Sequence, residues 1–212
     1  MKISTSLHID FNRIKTIIFD WGGVITNLSP QATMKEFQSL GHNSFEKYFE
    51  AADDLFIRFE TGKATDSEVY ERLRLESVKS PTDVLLRKAL CAMLLDTPVI
   101  RLVILRKLRS SYKLLMLSNT NPIHTHYYNN LLREKTGDDF YSYFDKIYYS
   151  YEIGMRKPNP EIFKFVLADS GIMADETLFI DDTEINILTA RSLNIQCIHL
   201  KDGTSLEDIF NI

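Results

Sequence analysis

Several side chains that could do chemistry stand at the ends of apolar segments in this sequence. Asp20 closes the segment TIIFD, Ser118 closes KLLMLS, and Asp181 and Asp182 close TLFIDD. A cation, Lys157, lies in the polar stretch GMRKPNP. Crowded carboxylates repel one another unless a cation lies among them, and hard oxygen ligands select Mg²⁺ over softer metals. A Mg²⁺ ion beside a lysine and a serine could hold a phosphoryl group and neutralise its charge during transfer.

Asp20 is the candidate nucleophile of such a site. A carboxylate that attacks phosphorus forms an aspartyl-phosphate, which divides one difficult displacement into two easier steps. The simpler interpretation makes Asp20 a turn or cap residue, with Gly22 and Gly23 supplying backbone freedom. Ser118 and Asn119 could likewise be helix N-caps.

A sheet would bring these polar residues together. Five short apolar runs have the length and the β-branched or aromatic content of buried strands. The predicted strands are Thr16–Asp20, Lys113–Ser118, Lys146–Ser150, Thr177–Asp181 and Gln196–Leu200. Predicted helices between the last four strands are Pro122–Lys135, Pro160–Gly171 and Ile185–Leu193. This alternation predicts an α/β fold, a Rossmann-like parallel five-stranded sheet with helices on both faces. Ligands of such sheets bind beyond the carboxyl ends of the strands, where the polar residues would converge.

The segment between the first two predicted strands has helical patterns only. These patterns cover Gln31–Leu40, Asn43–Arg58, Asp66–Ser77 and Pro81–Leu95. The third begins with a capping box, Thr65 to Glu68. We therefore predict a core domain of residues 1–26 and 97–212 and an inserted α-helical cap domain of residues 27–96. Thr97 is the expected N-cap of the helix with which the core resumes, and Pro98 its first residue.

Composition narrows the classes of protein that this chain could be. Its 25 basic and 29 acidic residues are mixed along the chain and give a net charge of -4, so no basic stripe indicates nucleic-acid binding. No run of 18 apolar residues suggests a membrane span, and no apolar segment near the start resembles a secretion signal. Cys91 and Cys197 lie far apart in apolar surroundings, which indicates reduced core thiols. We expect a cytoplasmic monomer or homodimer.

Four segments together resemble the motifs of the haloacid dehalogenase superfamily. They are FDWGGVI, LSNTNP, GMRKPNPEIF and LFIDDTEIN, in the family's order, and the family's helical cap falls where the insertion falls. The resemblance covers essentially the whole chain. It is strongest, through LSNTNPIHTHYY, GMRKP and FIDDTEINI, to the phosphatase branch that includes α-D-glucose-1-phosphate phosphatases.

The resemblance implies a Mg²⁺ site and a nucleophile. Asp20 matches the nucleophile and one metal ligand, and the backbone carbonyl of Gly22 matches the second metal contact. Asp182 matches the direct Mg²⁺ ligand, and Asp181 the neighbour that usually acts through water. Simple capping of the following helix is the alternative for both of these aspartates.

The resemblance also implies a phosphate-binding set and a substrate class. Ser118 matches the hydroxyl that binds a phosphoryl oxygen, and the backbone amide of Asn119 lies beside it. Lys157 matches the cation that pairs with both nucleophile and phosphate. The expected partner is a small phosphorylated metabolite, and the expected reaction is phosphomonoester hydrolysis.

Gly22 departs from the pattern of most phosphatases in this superfamily. These carry a second aspartate there, which protonates the leaving oxygen and then activates water. Losing a positioned general acid/base costs about 10²–10⁴-fold in rate. The glucose-1-phosphatase branch shares the glycine. A sugar 1-phosphate, whose anomeric leaving group departs readily, would need the missing acid least.

Two other functions stay open from the sequence. A non-enzymatic phosphometabolite-binding protein could keep the site without turnover. A metal-independent 2-haloacid dehalogenase also uses an aspartate nucleophile. Such enzymes lack a metal-binding acid pair, so the presence of Asp181 and Asp182 argues against this function. His124 and His126, two apart on a predicted helix, should point in different directions and share no metal.

Overall fold

The computed structural model describes residues 9–42, 54–201 and 204–210. Within these ranges lies a five-stranded, wholly parallel sheet with the order β3-β2-β1-β4-β5. Its strands are β1 Thr16–Phe19, β2 Lys113–Ser118, β3 Lys146–Tyr149, β4 Thr177–Asp181 and β5 Gln196–His199. The predicted parallel α/β sheet is confirmed.

The strand order places the direction change of the chain at the centre of the sheet. From β1 the chain moves outward through β2 and β3, then returns to the other side of β1 for β4 and β5. Phe19 of β1 pairs with Met116 on one side and with Ile180 on the other. The carboxyl ends of these three strands therefore meet at one edge, where ligands bind in open parallel sheets.

Helices cover both faces of this sheet. The helices of the described residues are α1 Pro30–Ser39, α2 Asp54–Glu60, α3 Asp66–Leu75, α4 Asp83–Cys91, α5 Val99–Leu108, α6 Pro122–Thr136, α7 Ser150–Ile153, α8 Pro160–Ser170, α9 Glu184–Ser192 and α10 Leu206–Phe210, and those outside the inserted segment cover the sheet. Side chains of β1 alternate between two apolar clusters, with Ile17 and Phe19 in one and Ile18 in the other. The first cluster packs against α5, α6 and α10, and the second against α8 and α9.

Helices α1 to α4 form the segment inserted between β1 and β2. They have an apolar cluster of their own, which includes Phe37, Phe59 and Leu86, and Ile123 of α6 joins it from the core. The capping box of α3 is present, because Glu68 N donates to Thr65 Oγ1 at 3.2 Å and Thr65 N to Glu68 Oε2 at 2.7 Å. Residues 43–53, where the second predicted helix begins, lie outside the described residues.

Some predicted boundaries are wrong by a residue or more. Asp20 and Leu200 lie just beyond their strands, and Ser150 begins α7 instead of ending β3. Ser150 Oγ accepts from Thr120 N at 2.9 Å, a contact between distant segments that local sequence does not encode.

Thr97 is not the N-cap of α5, a place that Pro98 takes. Its hydroxyl instead lies 2.7 Å from Thr26 Oγ1 and 2.9 Å from the Tyr128 hydroxyl, which ties the end of the insertion to the core. No helix in the described part of the chain is long and apolar enough to cross a membrane.

Candidate active site

Three carboxylates and one ammonium meet at the carboxyl edge of the sheet. Asp20, Asp181 and Asp182 each offer an oxygen, and these oxygens lie within 4.8 Å of one another. Lys157 Nζ lies 2.9 Å from Asp20 Oδ1 and 2.7 Å from Asp181 Oδ2. The Lys157 side chain is buried, so these two carboxylates replace the water that its charge would otherwise bind.

Asn119 holds the backbone of Lys157 in place. Its Oδ1 accepts from Lys157 N at 2.8 Å, and its Nδ2 donates to the Lys157 carbonyl at 2.8 Å. One side-chain amide thus satisfies both polar groups of this residue's main chain. Asn119 follows β2, so this pair of hydrogen bonds attaches the lysine loop to the central part of the sheet.

Both carboxylate oxygens of Asp181 accept hydrogen bonds from other groups of the protein. Its Oδ1 accepts from Thr183 N at 2.7 Å, and Asn186 Nδ2 lies 3.1 Å from each of its oxygens. Together with Lys157 these donors occupy both carboxylate oxygens of a fully buried residue. Asn186 therefore orients Asp181. Its side chain forms no hydrogen bond with Asp182 and does not cap α9, whose N-cap residue is Thr183.

Asp20 keeps one oxygen free of such donors. Its Oδ1 accepts from Trp21 N at 2.7 Å and pairs with Lys157, while Oδ2 has no hydrogen bond from the described residues. The side chain is 13% exposed, so the free oxygen stays within reach of a small ligand. Trp21 itself is buried, and its Nε1 donates to Thr26 Oγ1 at 2.8 Å.

The two glycines after Trp21 have different surroundings. Gly23 has φ +74°, and a Cβ there would stand 2.0 Å from Asp182 Oδ2. A Cβ on Gly22 would stand 2.5 Å from Leu28 Cδ1, so this leucine fills the space into which a side chain at position 22 would project. The absence of an acid/base at Gly22 is thus accompanied by apolar packing.

Ser118 is the last residue of β2. Phe19 pairs with Met116, so Ser118 lies one residue further towards the carboxyl edge of the sheet than Asp20 does. It is only 3% exposed, and its hydroxyl has no hydrogen bond with the residues that the structure describes. Neither Ser118 nor Asn119 caps α6. Asn121 is the cap, and its side chain accepts from His124 N at 3.0 Å.

The charges at this edge do not balance. Burial raises the pKa of Asp20 to about 7, the Lys157 ammonium opposes this shift, and Asp181 adds to it. Burial and then Asp181 also raise the pKa of Asp182. Burial acts to lower the pKa of Lys157, but the carboxylates of Asp181 and Asp20 have the larger effect, so this pKa is raised.

These residues fit a divalent cation. Three carboxylates face one ammonium, all donors are hard oxygens, and both Asp20 and the exposed Asp182 have room for a ligand bond. Asp181, whose oxygens already accept hydrogen bonds, fits an indirect role through water.

The two histidines of α6 lie outside this cluster. His124 Nε2 contacts the Leu90 carbonyl of α4 at 3.0 Å, whereas His126 is exposed and lies 3.3 Å from Asn130 Nδ2. Their different directions agree with the spacing argument.

Sequence reasoning missed the side-chain role of Asn119 and the distinct role of Gly23. From the sequence, Asn119 is expected to contribute a backbone amide or to cap a helix, and Gly23 to supply only turn flexibility. Their partners, Lys157 and Asp182, are remote in sequence. One sequence signal could have indicated this role of Asn119. Its amide side chain directly follows Ser118, and Asn121, just before Pro122, is the better candidate for the N-cap of the next helix.

Comparison with known proteins identifies the family. A sequence model of haloacid dehalogenase-like hydrolases matches residues 14–194. The chain is 31% identical over 194 residues to D-ribitol-5-phosphate phosphatase of Bacteroides thetaiotaomicron, across 90% of this chain and 93% of that protein. The chain therefore belongs to the haloacid dehalogenase-like hydrolases, and the prediction of a hydrolase of the phosphatase kind is confirmed.

Solved structures agree with this assignment. A haloacid dehalogenase-family enzyme of B. thetaiotaomicron, in complex with magnesium and inorganic phosphate, is 36% identical with a TM-score of 0.87, covering 93% of this chain and 99% of that one. A haloacid dehalogenase-like hydrolase of Porphyromonas gingivalis is 31% identical with a TM-score of 0.86, covering 94% and 97%. The finer resemblance to α-D-glucose-1-phosphate phosphatases stays a prediction.

Proposed function

We propose that this protein is a Mg²⁺-dependent phosphomonoesterase that acts on a small phosphorylated metabolite through an aspartyl-phosphate on Asp20. The observation that carries the proposal is the buried Lys157, which pairs with Asp20 and Asp181 beside a third carboxylate, Asp182. Such a set favours a further cation, and the two cations together would favour an anionic substrate. The relative that carries magnesium and inorganic phosphate supports this proposal.

In the first step, the Asp20 carboxylate attacks phosphorus. The new O–P bond forms as the ester P–O bond breaks, and the leaving oxygen departs with the bonding electrons and takes a proton from water. Ser118 Oγ and the backbone amide of Asn119 donate to phosphoryl oxygens, and Lys157 pairs with their negative charge. Water then attacks phosphorus as the P–O bond to Asp20 breaks, and the proton lost by this water goes to solvent. Phosphate leaves and the Asp20 carboxylate is restored.

The metal would be held by Asp20, the Gly22 carbonyl and Asp182, with Asp181 behind them. When bound, Mg²⁺ supplies positive charge that offsets the charge of the phosphoryl oxygens during transfer.

Two substrate types follow from different observations. Gly22 gives the leaving oxygen no acid, which favours a sugar 1-phosphate because its anomeric oxygen leaves readily. The relative that acts on D-ribitol 5-phosphate favours an alditol phosphate instead. We propose that residues 27–96 act as a cap over the core of residues 1–26 and 97–212, exclude bulk water and bind the leaving group.

A substrate panel tests this function. We would measure phosphate release from ribitol 5-phosphate, sugar 1-phosphates and 6-phosphates, nucleotides and aryl phosphates, with and without Mg²⁺. Release should need the metal and should be lost in Asp20→Asn. Asp175→Asn is the control, since Asp175 is half exposed and pairs with Arg13 on the surface.

Other outcomes would contradict the proposal. A folded, Mg²⁺-binding protein that releases phosphate from no ester would be a metabolite-binding protein. Halide release from a 2-haloacid without Mg²⁺ would indicate a dehalogenase. Equally poor cleavage of sugar 1-phosphates and 6-phosphates would exclude the argument from the leaving group.

A further inference from the structure

An ion pair joins the inserted helices to the loop that carries Lys157. Glu60 Oε2 lies 3.0 Å from Arg156 Nη2, and the two side chains are 27% and 29% exposed. Glu60 ends α2, and Arg156 directly precedes Lys157. Among ion pairs between described residues, it is the one that links residues 27–96 to the rest of the chain.

A second contact lies beside this ion pair. Gly62, in the turn after α2, has φ +68°, and a Cβ there would stand 2.2 Å from the Tyr151 carbonyl oxygen. The turn thus lies directly on the segment that leads to Arg156. Because no side chain fits at position 62, the close approach of the two backbones depends on glycine.

The lysine loop is therefore held from two sides. On the core side, Asn119 binds the N–H and C=O of Lys157. On the other side, Glu60 holds the neighbouring Arg156. Each attachment acts through the main chain on the position of Lys157 Nζ.

We propose that Glu60 and Arg156 are positioning residues, which set the place of Lys157 against the phosphoryl group by attaching its loop to the inserted helices. The inference rests on the phosphatase function proposed above. Loss of the pair shifts the loop, and a displacement of about 1 Å at a reacting group can cost about 10²-fold in rate. Removal of either partner also leaves the other charge half-buried and unpaired.

Glu60→Gln, Arg156→Gln and the double variant test the proposal, with Arg156→Lys as the conservative variant. Glu207→Gln is the matched control. It is the same substitution in a Glu–Arg pair with a separation of 3.6 Å to Arg101, and Glu207 is 25% exposed, but that pair joins α5 to α10. The measurements are kcat, KM, the affinity for inorganic phosphate in the presence of Mg²⁺, and thermal unfolding.

Each single variant should lower kcat by about tenfold or more and change KM less, because chemistry depends on the lysine position more than substrate capture does. The kcat of the double variant should be no lower than that of the less active single variant, as expected for residues that act as a unit. Arg156→Lys should recover part of kcat. Phosphate affinity should fall with kcat, and Glu207→Gln should leave both at the wild-type value.

Wild-type kcat and phosphate affinity in the folded single variants would overturn the proposal. So would additive effects, or an equal loss in Glu207→Gln, since either would indicate general destabilisation. If the wild type hydrolyses no ester, the proposed phosphatase function is wrong, but the affinity for inorganic phosphate still tests the positioning role. Weaker phosphate binding in the single variants would then support the positioning role, and unchanged binding would overturn it.

Discussion

Gly23 shows how much the proposed metal site depends on one missing side chain. A Cβ at this position would meet Asp182 Oδ2 at 2.0 Å. We expect Gly23→Ala to displace Asp182 and to weaken Mg²⁺ affinity by about 10–100-fold, the usual effect of disturbing groups around a metal ligand. Calorimetric titration with Mg²⁺ would measure the loss.

A second glycine separates this contact from backbone strain. Gly171 has φ +63° and no atom within 4 Å of an added Cβ. Both alanine variants should lose roughly 1–2 kcal/mol of stability from the left-handed backbone. Only Gly23→Ala should change Mg²⁺ affinity, and an equal change in Gly171→Ala would contradict the role of the Asp182 contact.

At the scale of elements, the sequence was sufficient for most strands because their apolar runs are buried on both faces. All five predicted strands are present, and three of them end one residue earlier than predicted. Helix α7 and the capping of α5 escaped prediction because Ser150 and Thr97 bond to residues distant in the chain. The candidate site followed the same rule. Asp20 and Lys157 stood in recognisable motifs, whereas the role of the Asn119 side chain depends on a partner 38 residues away.

The contact between α6 and α4 makes stability depend on pH. Burial lowers the pKa of His124 from 6.5 to about 4. Between these values the unfolded chain binds more protons than the folded one, so this histidine lowers the free energy of unfolding as pH falls from about 6.5 to 4. The loss is about 3 kcal/mol at most.

Denaturant unfolding of His124→Gln across this pH range would measure the effect. The variant should lose stability less steeply than the wild type as the solution is acidified, because glutamine gains no charge. His126→Gln, a change of an exposed histidine on the same helix, is the control. Parallel curves for wild type and His124→Gln would contradict the assignment.

At the scale of the whole molecule, both thiols report on global unfolding. Cys91 lies in the inserted helices and Cys197 in the sheet, each 2% exposed, and burial raises the pKa of each thiol to about 12. Neither should react with an aromatic disulfide reagent in the native state at neutral pH, and both should react in denaturant. Rapid native-state reaction of Cys91 alone would show that the inserted helices open independently of the core.

The two hydrogen bonds from Asn119 to the main chain of Lys157 have an entropic consequence. They fix the peptide groups on both sides of the lysine, so the conformational freedom of this residue is lost once, when the chain folds. Substrate binding then does not have to order the lysine again in each turnover. The loop behaves in this respect like a strand of the sheet, although it has no strand neighbour.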